Sequence, residues 1–186
     1  MGNRLEIEMS EKKDVYAEAK KQMRLSERIV AAIPGFRGYK EKELRRESDK
    51  LVRNHLHLKL SKSKDDLKTV FQKLSDRRYF DVITDMDRLM AKVDRVTEKV
   101  NHASYGYAGF FNIVKVTEEN LDRMIDFDNN LVDEADGLAA DVDAFKTEIA
   151  KGETKNVKGR IQSITDKLET FEETFDKRAE VILGVT

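Results

Sequence analysis

Apolar residues recur at alternating spacings of three and four in the C-terminal half of this chain, and this spacing constrains the fold more than any other feature. One run comprises Leu121, Met124, Ile125, Leu131, Ala135, Leu138, Val142, Phe145 and Ile149, and the next Val157, Ile161, Ile164, Leu168, Phe171, Phe175 and Ile182. Such spacing is typical of long helices that bury one face against each other. Only one proline and nine glycines occur in 186 residues, so few breaks are expected. We predict an all-α fold, an elongated antiparallel bundle of about five coiled-coil-like helices.

The predicted helices cover about 10–32, 40–60, 65–103, 117–150 and 154–183, within one domain over residues 1–186. Acidic residues Asp65 and Asp66, after Ser61–Lys64, predict a helix start. The apolar pattern then continues to Val100 without glycine or proline, so we predict one helix there, which could bend near the polar residues 76–80. The short link around Gly152 predicts that the last two helices are antiparallel.

The stretch that follows the first predicted helix combines a turn with basic residues. Pro34 ends the helix, and Gly35 and Gly38 permit positive φ, so a tight reversal is predicted. We interpret the aromatic and basic side chains here as a candidate contact surface for an anionic partner: Phe36, Arg37, Tyr39, Lys40, Lys42, Arg45 and Arg46. In the alternative interpretation, neighbouring glutamates offset these charges on a solvated surface, and the two rings cap the core.

A second unusual stretch, Val100–Val114, carries no formal charge in a chain where 38% of residues are charged. We interpret its aromatic residues and glycines as a structural corner that caps the bundle core: Tyr105, Gly106, Tyr107, Gly109, Phe110 and Phe111. The alternative is an exposed aromatic patch for a partner or a membrane interface.

Two phrases of the sequence, IPGFRGYKEKELRR over Ile33–Arg46 and YGYAGFF over Tyr105–Phe111, resemble phrases found in the same order in a family of uncharacterised prokaryotic helical proteins. Val114–Glu119 belongs to the second phrase. The resemblance covers only these stretches. It implies that both motifs are more than incidental loops, and it implies no activity and no catalytic residue.

The sequence holds none of the catalytic motifs that we sought. There is no glycine-rich phosphate loop and no nucleophile elbow, and the chain has no cysteine. The residues three before His55, His57 and His102 are not glutamates, which disfavours a carboxylate-bridged di-metal bundle, and His55 is interpreted as a residue at the edge of the core. The acidic run from Asp126 resembles an EF-hand opening but has Leu131 where that loop needs glycine. We therefore expect no enzyme, no cofactor and no metal site.

Charge is distributed unevenly along the chain. Residues 1–64 hold 17 Lys and Arg against 10 Asp and Glu, whereas residues 115–150 hold 3 against 11. The basic stretch has a net charge of +7 and the acidic stretch a net charge of −8. They can attract each other inside one fold or between molecules. We predict that the basic part lies against the acidic helix.

These features lead to a functional hypothesis. We expect a non-enzymatic protein–protein interaction or scaffold module, whose partner is another protein or a second copy of the chain. The alternatives are a helical protein that binds a membrane or another anionic surface weakly, and a bundle that binds a small ligand. No nucleic-acid partner is expected. No run approaches the ~18 apolar residues that span a bilayer, and residues Met1–Met9 lack the apolar core of a signal peptide, so we expect a cytoplasmic location.

Overall fold

The computed structural model describes residues 27–38, 42–103 and 118–183, and the regular secondary structure in these ranges is helical. Four long helices are present: α1 (Lys42–Asp76), α2 (Phe80–His102), α3 (Glu118–Lys151) and α4 (Val157–Leu183). A short helical segment over 27–32 precedes them. The predicted all-α bundle is confirmed. The part of the first predicted helix that covers 10–26 lies outside the described residues.

Helix α1 is longer than predicted, because the expected break at Ser61–Lys64 does not occur. Ser63 is buried, and its hydroxyl donates to the carbonyl oxygen of Lys59 one turn earlier at 3.0 Å, as a serine inside a helix does. Asp66 is an ion-pair partner of Lys146 on α3 and does not begin a helix. The prediction of one helix over 65–103 is wrong, because the chain reverses completely at 77–79, within the polar stretch where only a bend was expected, and continues as the separate helix α2.

The reversal predicted at Pro34 is present. The amide of Phe36 donates to the carbonyl oxygen of Ile33 at 3.1 Å, and Gly35 between them has φ +86°, as in a type II turn. Gly38 also has positive φ, and its carbonyl oxygen accepts a hydrogen bond from the Ser48 hydroxyl at 2.8 Å. This bond fastens the loop to α1.

The four helices form two antiparallel hairpins, α1–α2 and α3–α4, which pack side by side. Contacts join α1 to α2 and α3, and join α4 to α2 and α3, so α1 and α4 lie on opposite corners of the bundle cross-section. Neighbouring helices of different hairpins are parallel. Lys92 pairs with Glu169, and Lys99 with Asp176, at a constant sequence separation of 77 between α2 and α4.

The core follows the predicted apolar spacing. On α3 the buried apolar residues are Met124, Leu131, Val132, Ala135, Leu138, Val142, Phe145 and Ile149; on α4 they are Val157, Ile161, Ile164, Leu168, Phe171 and Phe175. Helix α2 buries Val82, Met86, Leu89, Val93, Val96 and Val100 between them and α1. The rings of Phe171 and Phe175 stack at 6.2 Å between centroids. One continuous apolar cluster therefore joins both hairpins.

Two ion pairs from residues 1–64 to α3 have the polarity that the charge distribution predicts. Lys59 pairs with Asp136 at 2.7 Å, and Arg28, from the short helical segment, makes two hydrogen bonds to Asp133 at 2.7 and 2.9 Å. The basic part of the chain thus contacts the acidic helix within the molecule.

Candidate functional site

The predicted contact surface is corrected at its first residue. Phe36 is only 4% exposed and belongs to the apolar core, because the type II turn directs its ring toward the bundle. Arg37 is exposed. Tyr39 and Lys40 lie outside the described residues, and so do the side chains of Lys42, Arg45 and Arg46, although these last three positions belong to α1.

The aromatic corner predicted at Tyr105, Gly106, Tyr107, Gly109, Phe110 and Phe111 lies wholly outside the described residues. Its interpretation as a cap of the core stays a prediction.

Four charged side chains are buried together near the end of the bundle where α1 and α3 begin. The guanidinium of Arg178 donates to both carboxylate oxygens of Asp128, at 2.7 and 3.1 Å, and also to Asp49. Asp49 accepts two further hydrogen bonds from Arg53 one turn along α1, at 2.9 and 2.8 Å. Arg178 and Asp128 are both 0% exposed. We call these four residues the buried charge network; their formal charges balance.

The opposite end of the bundle, which we call the corner end, is formed by the two hairpin turns. Each hairpin's first helix ends in a Schellman motif, in which the amides of two successive residues bond back to carbonyl oxygens of the last turn. At the first corner the amides of Arg78 and Tyr79 donate to Ser75 and Leu74; at the second, those of Gly152 and Glu153 donate to Ile149 and Glu148.

The two corners are also fastened to each other. The Arg77 guanidinium donates to the carbonyl oxygen of Ile149 at 2.8 Å, and the Gly152 amide donates to the same oxygen at the end of α3. The hydroxyls of Tyr79 and Thr154 lie 2.8 Å apart and form a hydrogen bond. These contacts join the two hairpin turns directly.

An exposed aromatic ring lies among basic side chains at the corner end. Phe80, the first residue of α2, is 71% exposed. Residues 73–81 and 150–158 hold six Lys and Arg against three Asp and Glu, a formal excess of three positive charges. We define the corner surface as the exposed residues Arg77, Arg78, Phe80, Lys151 and Lys155.

Two half-buried titratable groups lie along the sides of the bundle. Burial, followed by the nearby charge of Lys59, lowers the pKa of His55 from its ordinary value, which fits its predicted place at the edge of the core. Burial raises the pKa of Glu134, and the hydrogen bond that Thr174 donates to its Oε1 at 3.1 Å opposes part of this effect. Oε2 of Glu134 is buried without a hydrogen-bond partner among the described residues.

The acidic run from Asp126 is helical, as the apolar spacing predicted, and no calcium loop forms there. Within the described ranges, no group of three or more His, Asp or Glu side chains is placed to hold a metal ion. None of the described helices is both long enough and apolar enough to cross a membrane.

Sequence reasoning missed the buried charge network, although one signal was present. Asp128 interrupts the apolar pattern of α3, and Arg178 interrupts the pattern of α4 in the same way, three residues after Phe175. Opposite charges at apolar positions of neighbouring helices indicate a buried pair. Asp49, three residues before Val52, completes the set on α1.

Over the described residues, fold and site define a bundle of two helical hairpins with a buried charge network at one end and an exposed aromatic and basic surface at the other. Comparisons with protein-family models, with curated proteins and with solved structures returned no match.

Proposed function

We propose that this protein is a non-enzymatic protein–protein interaction or scaffold module that binds its partner through the corner surface. The observation that carries the proposal is Phe80, a large ring that is 71% exposed on a corner held by hydrogen bonds. Aromatic and arginine side chains are enriched at protein interfaces, and a side chain fixed before binding loses little entropy when a partner covers it.

The charges around Phe80 define the chemistry of the partner. Three excess positive charges favour a partner that presents carboxylates beside an apolar side chain. Arg78 is a second supporting feature. It is the one non-glycine residue with positive φ among those described, at φ 60°, in the Schellman position where glycine is usual. Backbone strain of this kind is often retained at functional positions, where the side chain itself is needed.

The proposal can be tested by photo-cross-linking in cells. A benzoylphenylalanine replaces Phe80 in one variant and Leu58 in a matched control, since Leu58 is 69% exposed on the side of α1. We expect one discrete adduct at position 80, identified by mass spectrometry, and none at position 58. The purified partner should then bind the unmodified protein, at least tenfold more weakly to Phe80→Ser and equally well to Leu58→Ser.

Charge reversal of Arg78 and Lys155 to glutamate should abolish the same adduct, because it removes the attraction for carboxylates. An adduct that forms equally at positions 58 and 80, or that survives the charge reversal, contradicts the proposal.

A second candidate function, binding to an anionic membrane surface, is favoured by the same excess of positive charge. Sedimentation with vesicles that contain about 30% phosphatidylserine separates the two, with pure phosphatidylcholine vesicles as the control. Binding to the anionic vesicles that requires Phe80 and the corner cations would replace the protein partner with a lipid surface. We expect no such binding.

A further inference from the structure

We propose that the buried charge network fixes the register between the two hairpins, rather than raising the stability of the bundle. Each hairpin contributes one aspartate and one arginine to the network: Asp49 and Arg53 from α1, Asp128 and Arg178 from α3–α4. The bond between Arg178 and Asp49 joins the hairpins across the diagonal of the bundle. This inference is independent of the corner surface and of any partner.

The contact between α2 and α4 could form in more than one register. Lys92, Arg95 and Lys99 on α2 face Glu169, Glu172 and Asp176 on α4, so both helices repeat their charges at spacings of three and four. If α4 moved along α2 by one heptad, about 10 Å, Lys92 would face Asp176 and Arg88 would face Glu172. The apolar residues of α4 repeat with the same period, so they would again face the core.

The hydrogen bonds between the two corners and the buried charge network do not repeat, so both distinguish the registers. The network does so at the opposite end of the bundle, and with buried charges. The same movement brings Arg178 to the level that Phe171 occupies, inside the apolar core, and separates it from Asp49. Arg178 and Asp128 move together and stay paired, but this pair enters the apolar core without its bond to Asp49. Breaking a buried charged hydrogen bond costs more than losing an exposed ion pair. Only the observed register keeps Arg178 next to the carboxylate of the other hairpin.

If the buried charge network fixes the register, single and double substitutions in it should affect stability differently. Removing one charge leaves its partner uncompensated, whereas removing an Arg–Asp pair together is often neutral. We therefore expect Asp128→Leu alone to lower the Tm strongly, and Asp128→Leu with Arg178→Met to restore it to within a few degrees of the original. Asp49 and Arg53 remain paired with each other in the double variant.

The register itself can be read by cross-linking, because the chain has no cysteine of its own. Lys92→Cys with Glu169→Cys reports the observed register, and Lys92→Cys with Asp176→Cys reports the register shifted by one heptad. A short bis-maleimide is applied to each pair, and the monomer band is analysed. The matched control for the double variant is Arg28→Met with Asp133→Leu, which removes an Arg–Asp pair that is also joined by two hydrogen bonds but whose side chains are 58% and 54% exposed.

With the network intact, and in the control, we expect only the observed-register pair to cross-link. In Asp128→Leu with Arg178→Met, we expect the shifted pair to react to at least about a tenth of the yield of the observed pair. If the double variant folds and still cross-links only in the observed register, the proposal is wrong. It is equally wrong if the double variant loses its helical circular dichroism, since the network would then be needed for folding itself.

Discussion

Arg78 and Gly152 occupy the same position of the same helix-ending motif, one at each corner of the bundle, and both have positive φ. Glycine adopts this conformation without steric cost, whereas a residue with a Cβ loses about 1 kcal/mol. We expect Arg78→Gly to raise the free energy of unfolding by about 1 kcal/mol, measured by urea denaturation. Arg78→Ala should leave it nearly unchanged, because alanine keeps the Cβ. A loss of stability in Arg78→Gly would show that the side chain has a structural role.

The equivalent change at the second corner should have the opposite sign. In Gly152→Ala a Cβ would lie no closer than 4.0 Å to the nearest side chain, Arg77, so any cost comes from φ and not from a clash. We expect a loss of about 1 kcal/mol in the same measurement. An unchanged midpoint would mean that the corner relaxes to another turn.

Substitution of Phe36 tests whether this residue belongs to the core and not to the predicted contact surface. Because its ring is buried, Phe36→Ala should lower the free energy of unfolding by about 3–5 kcal/mol, the usual cost of emptying such a site. The neighbouring Arg37→Ala should change it by less than about 0.5 kcal/mol, since Arg37 is exposed. Urea denaturation of both variants decides the matter. If both variants change the free energy of unfolding by the same small amount, Phe36 belongs to the surface and not to the core.

Because the pKa of Glu134 is raised, we expect the stability of the protein to depend on pH. Its pKa is raised in the fold, so the charged form is disfavoured there and destabilises the protein above the folded pKa. The penalty disappears as the pH falls below 4.5, the ordinary value, because the carboxyl is then protonated in both states. We expect Glu134→Gln to have a higher Tm than the unchanged protein near pH 7 and an equal Tm near pH 4. A difference that is constant across this range would contradict the assignment.

The exposed ion pairs between helices predict a modest effect of salt. Arg28–Asp133, Lys59–Asp136 and Lys99–Asp176 are all accessible to ions, whereas the buried charge network is not. Raising sodium chloride from about 0.05 to about 1 M should lower the Tm by a few degrees, as expected for pairs worth under 1 kcal/mol each. The control is Lys59→Met with Lys99→Met, which should respond less. A Tm that stays constant or rises in salt would show that these pairs contribute nothing.

The helices α3 and α4 and most of the core could be predicted from sequence, because the apolar face of each helix gives a periodic pattern, but the division of residues 40–103 into two helices was placed wrongly. The spacing along α3 and α4 identified nearly all of the residues that are buried there. The error at Ser61–Lys64 has a physical cause: serine hydroxyls can bond to the preceding turn, so a polar stretch without glycine or proline need not end a helix.

Which helix of the other hairpin each helix packs against, and in which register, could not be predicted from sequence. Apolar spacing shows that α2 and α4 each bury a face, but it does not show that these two helices lie parallel at a separation of 77 residues. The same limit applies to Phe36, since a turn that follows proline can direct a ring either inward or outward. Only the packed structure distinguishes these outcomes.

The hairpin arrangement places the start of α1 and the end of α4 at the same end of the bundle, away from both corners. Tension applied between Lys42 and Leu183 would therefore peel the helices apart from that end, one turn after another, instead of shearing them along their length. Arg178 and Asp49 lie within the first turns to separate. In an optical trap, the mechanical resistance of this protein should be concentrated at the outset, where a buried ionic contact must break, and should fall once the apolar core begins to open.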